Sequence, residues 1–188
     1  MESTTLLEHY LESKNQSDKG KQHNYIQVYY SDEFTPKRED EIKILEIGIR
    51  FGQSIKLWRE WFKNGDIYGI DVEYTESAQN TLKELDVNII IDNAYDEECV
   101  KSLSIPNNFF DYIIDDGPHT LESQLACVDL YLPKLKKGGK LIIEDIERWG
   151  DKEERFKEKG KELGLKYEGT KYPGSQKSDN VLVIYTNE

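Results

Sequence analysis

The segment Lys43–Ser54 constrains the fold of this chain more than any other part of the sequence. Its apolar, β-branched run ends at Gly48, and the apolar side chains of residues 55–62 then follow helical spacing. This strand–turn–helix order opens nucleotide-binding α/β units, in which a glycine lets the backbone approach a ligand and the helix N-terminus offers free N–H groups. Asp71 closes the next apolar run, at about the separation expected of a ribose-binding carboxylate.

From Lys43 onward, strand and helix patterns alternate. The predicted strands are Lys43–Gly48, Asp66–Asp71, Val87–Asp92, Phe109–Asp115, Lys140–Asp145, Leu165–Thr170 and Asn180–Tyr185. The predicted helices are Ser54–Lys63, Ser77–Leu85, Asp96–Leu103, Leu121–Leu132 and Lys152–Leu163. Several strands are continuous apolar runs, as expected when helices cover both faces of a sheet. The short connection Tyr172–Ser175 predicts a terminal hairpin, and hence a mostly parallel seven-stranded sheet with one antiparallel strand.

The residues before Lys43 carry other patterns. Thr4–Glu12 has the apolar spacing of a helix, residues 15–25 are polar as in a loop, and the tyrosine-rich stretch after them predicts another short helix. A chain of 188 residues fits one domain. We expect residues 1–42 to form a helical and loop extension that covers the active site of an α/β core over residues 43–188.

The acidic composition limits the partners of the chain. A formal net charge of −12 argues against unaided binding to nucleic acid, because phosphate contacts need clustered Lys and Arg. No apolar run approaches the ~20 residues that span a bilayer, and the N-terminus lacks the pattern of a signal peptide. Cys99 and Cys127 are too few for a disulfide framework and lack metal-ligand spacing. We expect a cytoplasmic protein without a membrane span.

Carboxylates occur at the C-terminal ends of most predicted strands: Glu46, Asp71, Asp92, Asp115, Asp116, Glu144 and Asp145. A single acid at such a position has about an even chance of being a turn or helix-capping residue. All of them together are much less easily explained in that way. Ligands of open α/β sheets bind just outside these strand ends, so the set predicts a ligand site there.

Three of these acids form a candidate metal site. Asp116 follows the fourth predicted strand and Glu144 and Asp145 end the fifth, so neighbouring strand ends bring them together. Three close acids would raise one another's pKa values unless a cation were present, and oxygen ligands favour Mg²⁺ or another hard divalent ion. His119 stands just after this cluster, and an ordinary histidine pKa of about 6.5 suits a general base. Alternatively, His119 is a structural residue at the start of a helix, hydrogen-bonded to a neighbouring acid.

The same residues resemble a known family. Leu45–Gly48 with Gly52–Ser54, then Ile67–Asp71, Asp115–Thr120 and Ile143–Asp145, are similar to motifs of the metal-dependent sugar O-methyltransferases. That group contains the macrolide-sugar enzymes of the mycinamicin type and proteins called cephalosporin hydroxylase-like. Upstream, Ser17–Gly20 and His23–Tyr25 resemble the family's Asp-Lys-Gly and His-x-Tyr elements. The resemblance implies a Rossmann-like class I methyltransferase fold.

The resemblance also implies roles for individual residues. S-adenosylmethionine would be held by Glu46, Gly48 and Asp71, with Asp71 on the ribose hydroxyls and Asp92 near the adenine. Mg²⁺ would be bound by Asp116, Glu144 and Asp145, and His119 would act as the base beside Asp116. The expected cofactor-binding set is completed by Arg50, Ser54, Asn93, Asp115, Lys19 and Tyr25.

The function that follows is methyl transfer from S-adenosylmethionine to a hydroxyl of a sugar or glycan, assisted by Mg²⁺. A homo-oligomer, or a place in a larger glycan-synthesis assembly, is compatible with this function. A catechol-type or other small-molecule O-methyltransferase would share the fold and the metal. A non-catalytic S-adenosylmethionine-binding partner protein would have no need of His119. An iron oxygenase would want two His and one carboxylate, and only His119 is well placed for that role.

Overall fold

The computed structural model describes residues 4–171 and 179–188. Its seven strands are β1 (Lys43–Ile47), β2 (Asp66–Asp71), β3 (Asn88–Ile91), β4 (Phe110–Asp115), β5 (Leu135–Ile143), β6 (Lys166–Lys171) and β7 (Val181–Thr186). They form one sheet in the order β3-β2-β1-β4-β5-β7-β6, in which only β7 runs antiparallel to its neighbours. The predicted sheet is confirmed, while the predicted connection Tyr172–Ser175 lies outside the described residues.

The helices after β1 are α4 (Gln53–Trp61), α5 (Glu76–Leu82), α6 (Glu97–Ser102), α7 (Leu121–Tyr131) and α8 (Trp149–Glu162). All five lie where the apolar spacing predicts a helix, with no end shifted by more than three residues. N-capping side chains explain where three of these helices begin. A backbone N–H in the first turn donates to Thr75 in α5, to Asp96 in α6 and to Thr120 in α7.

Strand β5 begins five residues before its predicted start. The segment Lys137–Gly139 is an irregularity within the strand, because Gly138 adopts a φ of 79° and the pairing register with β4 shifts there. The backbone N–H of Gly138 donates to the carbonyl oxygen of Asn187, and the N–H of Asn187 donates to Gly139. These bonds keep the segment in the sheet despite its two glycines.

The N-terminal segment contains α1 (Leu6–Glu12), α2 (Asp18–Lys21), a π-helical turn (Ile26–Tyr30), α3 (Ser31–Phe34) and a 3₁₀ turn (Thr35–Lys37). Thr5 and Glu8 form a capping box at the start of α1. At the start of α2, the Ser17 hydroxyl accepts the backbone N–H of Lys19. Helix α2 lies inside the stretch expected to be a loop. It is a single turn, too short for apolar periodicity to reveal.

Each face of the sheet has its own hydrophobic core. On one face, aromatic side chains of the N-terminal segment pack against α4, with ring centroids of Tyr30, Phe34 and Trp58 between 5.1 and 5.3 Å apart. On the other face, Tyr131 of α7 and Phe156 of α8 are fully buried. Each buried ring of this size stabilises the fold by about 1.5–3 kcal/mol. Helices therefore cover both faces, as predicted.

None of the helices in the described part of the chain is both long and apolar enough to cross a membrane.

Candidate functional site

A cleft of about 850 Å³ opens at the C-terminal ends of the parallel strands. The pairing register explains why the predicted residues meet there, because Ile47 lies opposite Ile70 in β2 and opposite Asp115 in β4. The strands β1, β2 and β4 therefore end side by side at the same edge of the sheet, and the residues that follow them lie close together. Among the residues predicted from sequence, those that line the cleft are Gly48, Arg50, Ser54, Asp71, Asp92, Asn93, Asp116, His119 and Asp145.

The turn after β1 forms one wall of the cleft. Gly48 has a φ of 93°, and a Cβ atom there would overlap the backbone oxygen of Asp116, so the position requires glycine. Asp71 fixes the next two residues, since its Oδ2 accepts the backbone N–H groups of Ile49 at 2.7 Å and Arg50 at 3.0 Å. The carboxylate expected to hold a ribose therefore also organises the glycine turn.

Helix α4 begins at this wall without a side-chain cap. Gly52, at φ 76°, precedes it, and both Gln53 and Ser54 line the cleft. Uncapped backbone N–H groups at a helix start attract carboxylates and phosphates. Asp92 and Asn93 also line the cleft, and both are exposed. The lining of the cleft therefore includes anion-attracting backbone N–H groups and side-chain hydrogen-bond acceptors.

A buried lysine lies behind the acidic side of the cleft. The Nζ atom of Lys19 lies 2.6 Å from Asp116 Oδ2, 2.5 Å from Glu144 Oε2 and 3.4 Å from Glu46 Oε1. Burial alone would lower the pKa of Lys19, but these three carboxylates raise it well above its usual value. Lys19 is therefore an ammonium ion at neutral pH, and its charge offsets only part of the acidic cluster.

Glu46 and Glu144 lie inside the protein rather than along the cleft. Glu46 is 0% exposed and accepts hydrogen bonds from Ser54 and Trp58. Glu144 accepts from the hydroxyl of Tyr30 at one oxygen and from Lys19 at the other. Glu144, predicted as a metal ligand, does not line the cleft, and both of its oxygens have hydrogen-bond partners within the protein.

The side chains that converge at the cleft are Asp116, His119 and Asp145, with ligand atoms all within 4.8 Å of one another. His119 Nε2 lies 3.8 Å from an oxygen of each aspartate. Burial, and then the charge of Asp116, raise the pKa of Asp145 to about 8. A carboxyl group that holds a proton near neutral pH for these reasons fits a site in which a divalent cation would replace that proton.

Tyr25 and Asp115 support this group from behind. The hydroxyl of Tyr25 donates to Asp145 Oδ1 at 2.8 Å, and Tyr25 is fully buried. Asp115 is also buried and accepts the hydroxyl of Tyr95, while burial raises the pKa of Asp115 to about 7. Neither Tyr25 nor Asp115 lines the cleft, nor do Lys19 and Glu46. Their placement favours a role in positioning rather than direct cofactor contact.

The structure adds residues that the predicted site omitted. His23 and Asp179 line the same cleft, together with Asp18, whose carboxylate lies 3.3 Å from the Arg50 guanidinium. The only sequence signal for His23 is its place two residues before Tyr25. No local pattern marks Asp179, because its approach to the cleft depends on how β7 pairs with β5.

Comparisons with known proteins identify the family and the fold of this chain. A family model described as a methyltransferase domain matches residues 45–146. The chain is 29% identical over 130 residues to demethylmacrocin O-methyltransferase of Streptomyces fradiae, covering 65% of this chain and 32% of that protein. It is 26% identical over 138 residues to the 8-demethyl-8-alpha-L-rhamnosyl tetracenomycin-C 2'-O-methyltransferase of Streptomyces olivaceus, covering 70% and 35%. The chain thus spans about a third of the length of these relatives.

A solved structure has the same fold. The MycE methyltransferase from the mycinamycin biosynthetic pathway, in complex with Mg, SAH and mycinamycin VI, matches with a TM-score of 0.69 at 21% identity. The match covers 94% of this chain and 53% of that chain. The likeness therefore extends beyond residues 45–146 into the N-terminal segment and the last strands.

Proposed function

The chain belongs to the methyltransferase domain family, and from that premise we propose that it transfers a methyl group from S-adenosylmethionine to a sugar or glycan hydroxyl. The observation that carries this proposal is the convergence of Asp116, His119 and Asp145 on the cleft beside the glycine turn. The rhamnosyl 2'-O-methyltransferase among its relatives supports a sugar acceptor.

S-adenosylmethionine would lie along the wall formed by Gly48 and the start of α4. Asp71 lines the cleft and would accept the ribose hydroxyls, and Asp92 and Asn93, which also line it, would contact the adenine. The guanidinium of Arg50 and the uncapped N–H groups of α4 are suited to the carboxylate of the methionine portion. The Asp71 carboxylate is already positioned by the backbone N–H groups of Ile49 and Arg50.

A divalent cation, with Mg²⁺ the first choice, would be held by Asp116 and Asp145. When bound, such a cation lowers the pKa of an acceptor hydroxyl and fixes its orientation. Lys19 keeps Asp116 in place at 2.6 Å, and Tyr25 holds Asp145 at 2.8 Å. Both aspartates are therefore oriented by buried partners before any ligand arrives.

His119 would be the general base. Its side chain is 32% exposed at the cleft, so an acceptor hydroxyl can reach Nε2. His119 takes the hydroxyl proton at Nε2 as the oxygen attacks the methyl carbon. The bond between that carbon and sulfur breaks with its electron pair on sulfur, which leaves S-adenosylhomocysteine and a methyl ether. Asp116 Oδ1 lies 3.8 Å from Nε2, and its negative charge favours the imidazolium formed by this transfer.

Cofactor binding is tested by titration calorimetry with S-adenosylhomocysteine, in Mg²⁺ and again in EDTA. We expect micromolar binding that EDTA changes little, because the proposed cofactor residues do not include the cation ligands. The absence of binding in both buffers would contradict the proposal.

Catalysis is tested with His119→Ala in a methyl-transfer assay on glycosides that carry free hydroxyls. General-base assistance typically contributes 10²–10⁴-fold, so turnover should fall by at least about 100-fold. S-adenosylhomocysteine affinity should stay within about twofold of wild type. The control is His9→Ala, since His9 lies in α1 outside the cleft. If His119→Ala retained more than about a tenth of wild-type turnover, His119 would not be the base.

A further inference from the structure

A second group of metal-ligand side chains lies beside the first. His23, Asp145 and Asp179 offer ligand atoms that all lie within 4.8 Å of one another. We propose that His23, Asp145 and Asp179 form a second divalent-cation site, and that Asp145 bridges it to the first. This site rests on the proposed function only through Asp145, which the cation proposed above also uses.

The distances place one nitrogen and two oxygens around one point. His23 Nδ1 lies 3.2 Å from Asp145 Oδ1 and 3.8 Å from Asp179 Oδ1. His23 is only 4% exposed, and its ring stacks on Tyr25 with centroids 5.1 Å apart. The ring is therefore held with Nδ1 toward the two carboxylates.

Two of these ligand atoms have no hydrogen bond within the described residues. His23 Nδ1 and Asp179 Oδ1 are both buried and form no hydrogen bond, although the two atoms lie only 3.8 Å apart. Leaving a buried polar atom without a hydrogen-bond partner destabilises the folded state. A cation bound between them would satisfy both atoms at once. A buried imidazole nitrogen without a hydrogen bond, aimed at two carboxylates, offers ligand types that divalent metal ions bind in proteins.

Asp145 directs its two oxygens to different groups. Oδ1 faces His23 and receives the hydroxyl of Tyr25, whereas Oδ2 lies 3.8 Å from His119 Nε2. A carboxylate shared in this way is suited to bridge two ions in a two-metal site. Asp145 also has a φ of 54°, a strained conformation for a non-glycine residue that this dual orientation would explain.

The donor set indicates the kind of ion. One imidazole and two carboxylates suit Mn²⁺ or Zn²⁺, whereas Mg²⁺ and Ca²⁺ prefer oxygen ligands alone. The site has access to the cleft, because His23 and Asp179 both line it.

The test is the number of Mn²⁺ ions bound per protein chain, measured by electron paramagnetic resonance of free Mn²⁺ during titration. We expect two ions for the wild type. His23→Ala and Asp179→Asn should each weaken one of them at least tenfold, and Asp116→Asn should weaken the other. Circular dichroism and thermal unfolding check that each variant is folded, and two independent variants guard against loss of fold in one. His9→Ala is the matched histidine control.

The outcomes separate this proposal from the proposed function. One ion in the wild type that His23→Ala and Asp179→Asn both leave in place would overturn the second site. One ion that those variants remove, and that Asp116→Asn retains, would support the second site and refute the first. Binding of S-adenosylhomocysteine reports on the methyltransferase proposal independently of either result.

Discussion

At the residue scale, the cleft concentrates unusual backbone conformations. Seven non-glycine residues in the described part of the chain have positive φ, and Arg50, His119 and Asp145 are three that line the cleft. Such conformations cost of order 1–3 kcal/mol each and persist where surrounding contacts enforce them. Hydrogen bonds enforce two of them here, from the Arg50 N–H to Asp71 and from Tyr25 to Asp145.

Gly48→Ala tests the close backbone approach at the cleft. The added methyl group would meet the backbone oxygen of Asp116, which cannot move aside as a flexible side chain could. We expect destabilisation beyond the ~1–2 kcal/mol cost of a left-handed alanine, together with at least tenfold weaker binding of S-adenosylhomocysteine. Urea unfolding and calorimetry measure the two effects.

Gly138→Ala is the matched control for Gly48→Ala. Gly138 also has positive φ, at 79°, but its Cβ position is open space. We expect the Gly138→Ala variant to lose only the stability that a left-handed alanine costs, and to bind S-adenosylhomocysteine as the wild type does. Equal effects of the two substitutions on stability and binding would show that the contact with Asp116 has no importance.

At the scale of secondary-structure elements, Glu33 of α3 connects this helix to the sheet through side-chain hydrogen bonds. Its carboxylate accepts hydrogen bonds from the hydroxyl of Tyr112 in β4 and the ammonium of Lys140 in β5, both at 2.5 Å. Burial by itself raises the pKa of Glu33, but these two bonds lower it overall below the usual value of 4.5. The folded state therefore favours the charged carboxylate.

Glu33→Gln should make the protein less stable in a pH-dependent way. A carboxyl with a lowered pKa in the folded state contributes stability above its unfolded pKa and loses it as pH falls through the folded value. We expect a loss of about 1–2 kcal/mol at pH 7, and a difference from wild type that shrinks below pH 4.5. Urea unfolding across this pH range measures it.

Glu39→Gln is the control for Glu33→Gln. Glu39 pairs with Lys63 at 3.3 Å, but its side chain is 65% exposed, and such surface pairs contribute little. We expect nearly no change at any pH. A difference between Glu33→Gln and wild type that stayed constant down to pH 3 would rule out the proposed charge effect.

At the scale of the whole molecule, Lys19 connects the N-terminal segment to the centre of the sheet. Its ammonium contacts Glu46 in β1, Asp116 after β4 and Glu144 after β5. The tyrosines of the same segment reach the same acids, since Tyr30 donates to Glu144 and Tyr25 to Asp145. The N-terminal segment therefore supplies both apolar packing for α4 and hydrogen bonds for the site.

Lys19→Met should destabilise the protein strongly. Removal of one partner from a buried ion pair leaves the remaining charge uncompensated and typically costs about 3–5 kcal/mol. Lys19→Met with Glu144→Gln should recover part of this loss, because one unpaired acid is also removed. The free energy of urea unfolding measures both variants.

Lys56→Met provides the comparison for Lys19→Met. Lys56 pairs with Glu60 at 3.7 Å on the surface of α4, and its loss should cost less than about 1 kcal/mol. A Lys19→Met variant as stable as Lys56→Met would show that the buried cluster is held together without the ammonium.

The sequence by itself determined the order of strands and helices from β1 onward, and the family to which the chain belongs. Apolar periodicity and glycine turns are local signals, so they were sufficient to predict a mostly parallel sheet with one antiparallel strand. They also placed Gly48, Asp71, Asp116 and His119 at the strand ends, where the cleft lies. The direct cofactor and metal contacts of these residues remain predictions.

Only the tertiary structure decided which acids face the cleft and which face the interior. Glu144 and Asp145 are adjacent in sequence, yet Glu144 is turned inward by Lys19 and Tyr30 while Asp145 reaches the cleft. The partners of Glu144 lie more than 100 residues away along the chain. Side-chain direction at the end of a strand depends on such distant charges and hydrogen bonds, and no local pattern in the sequence records them.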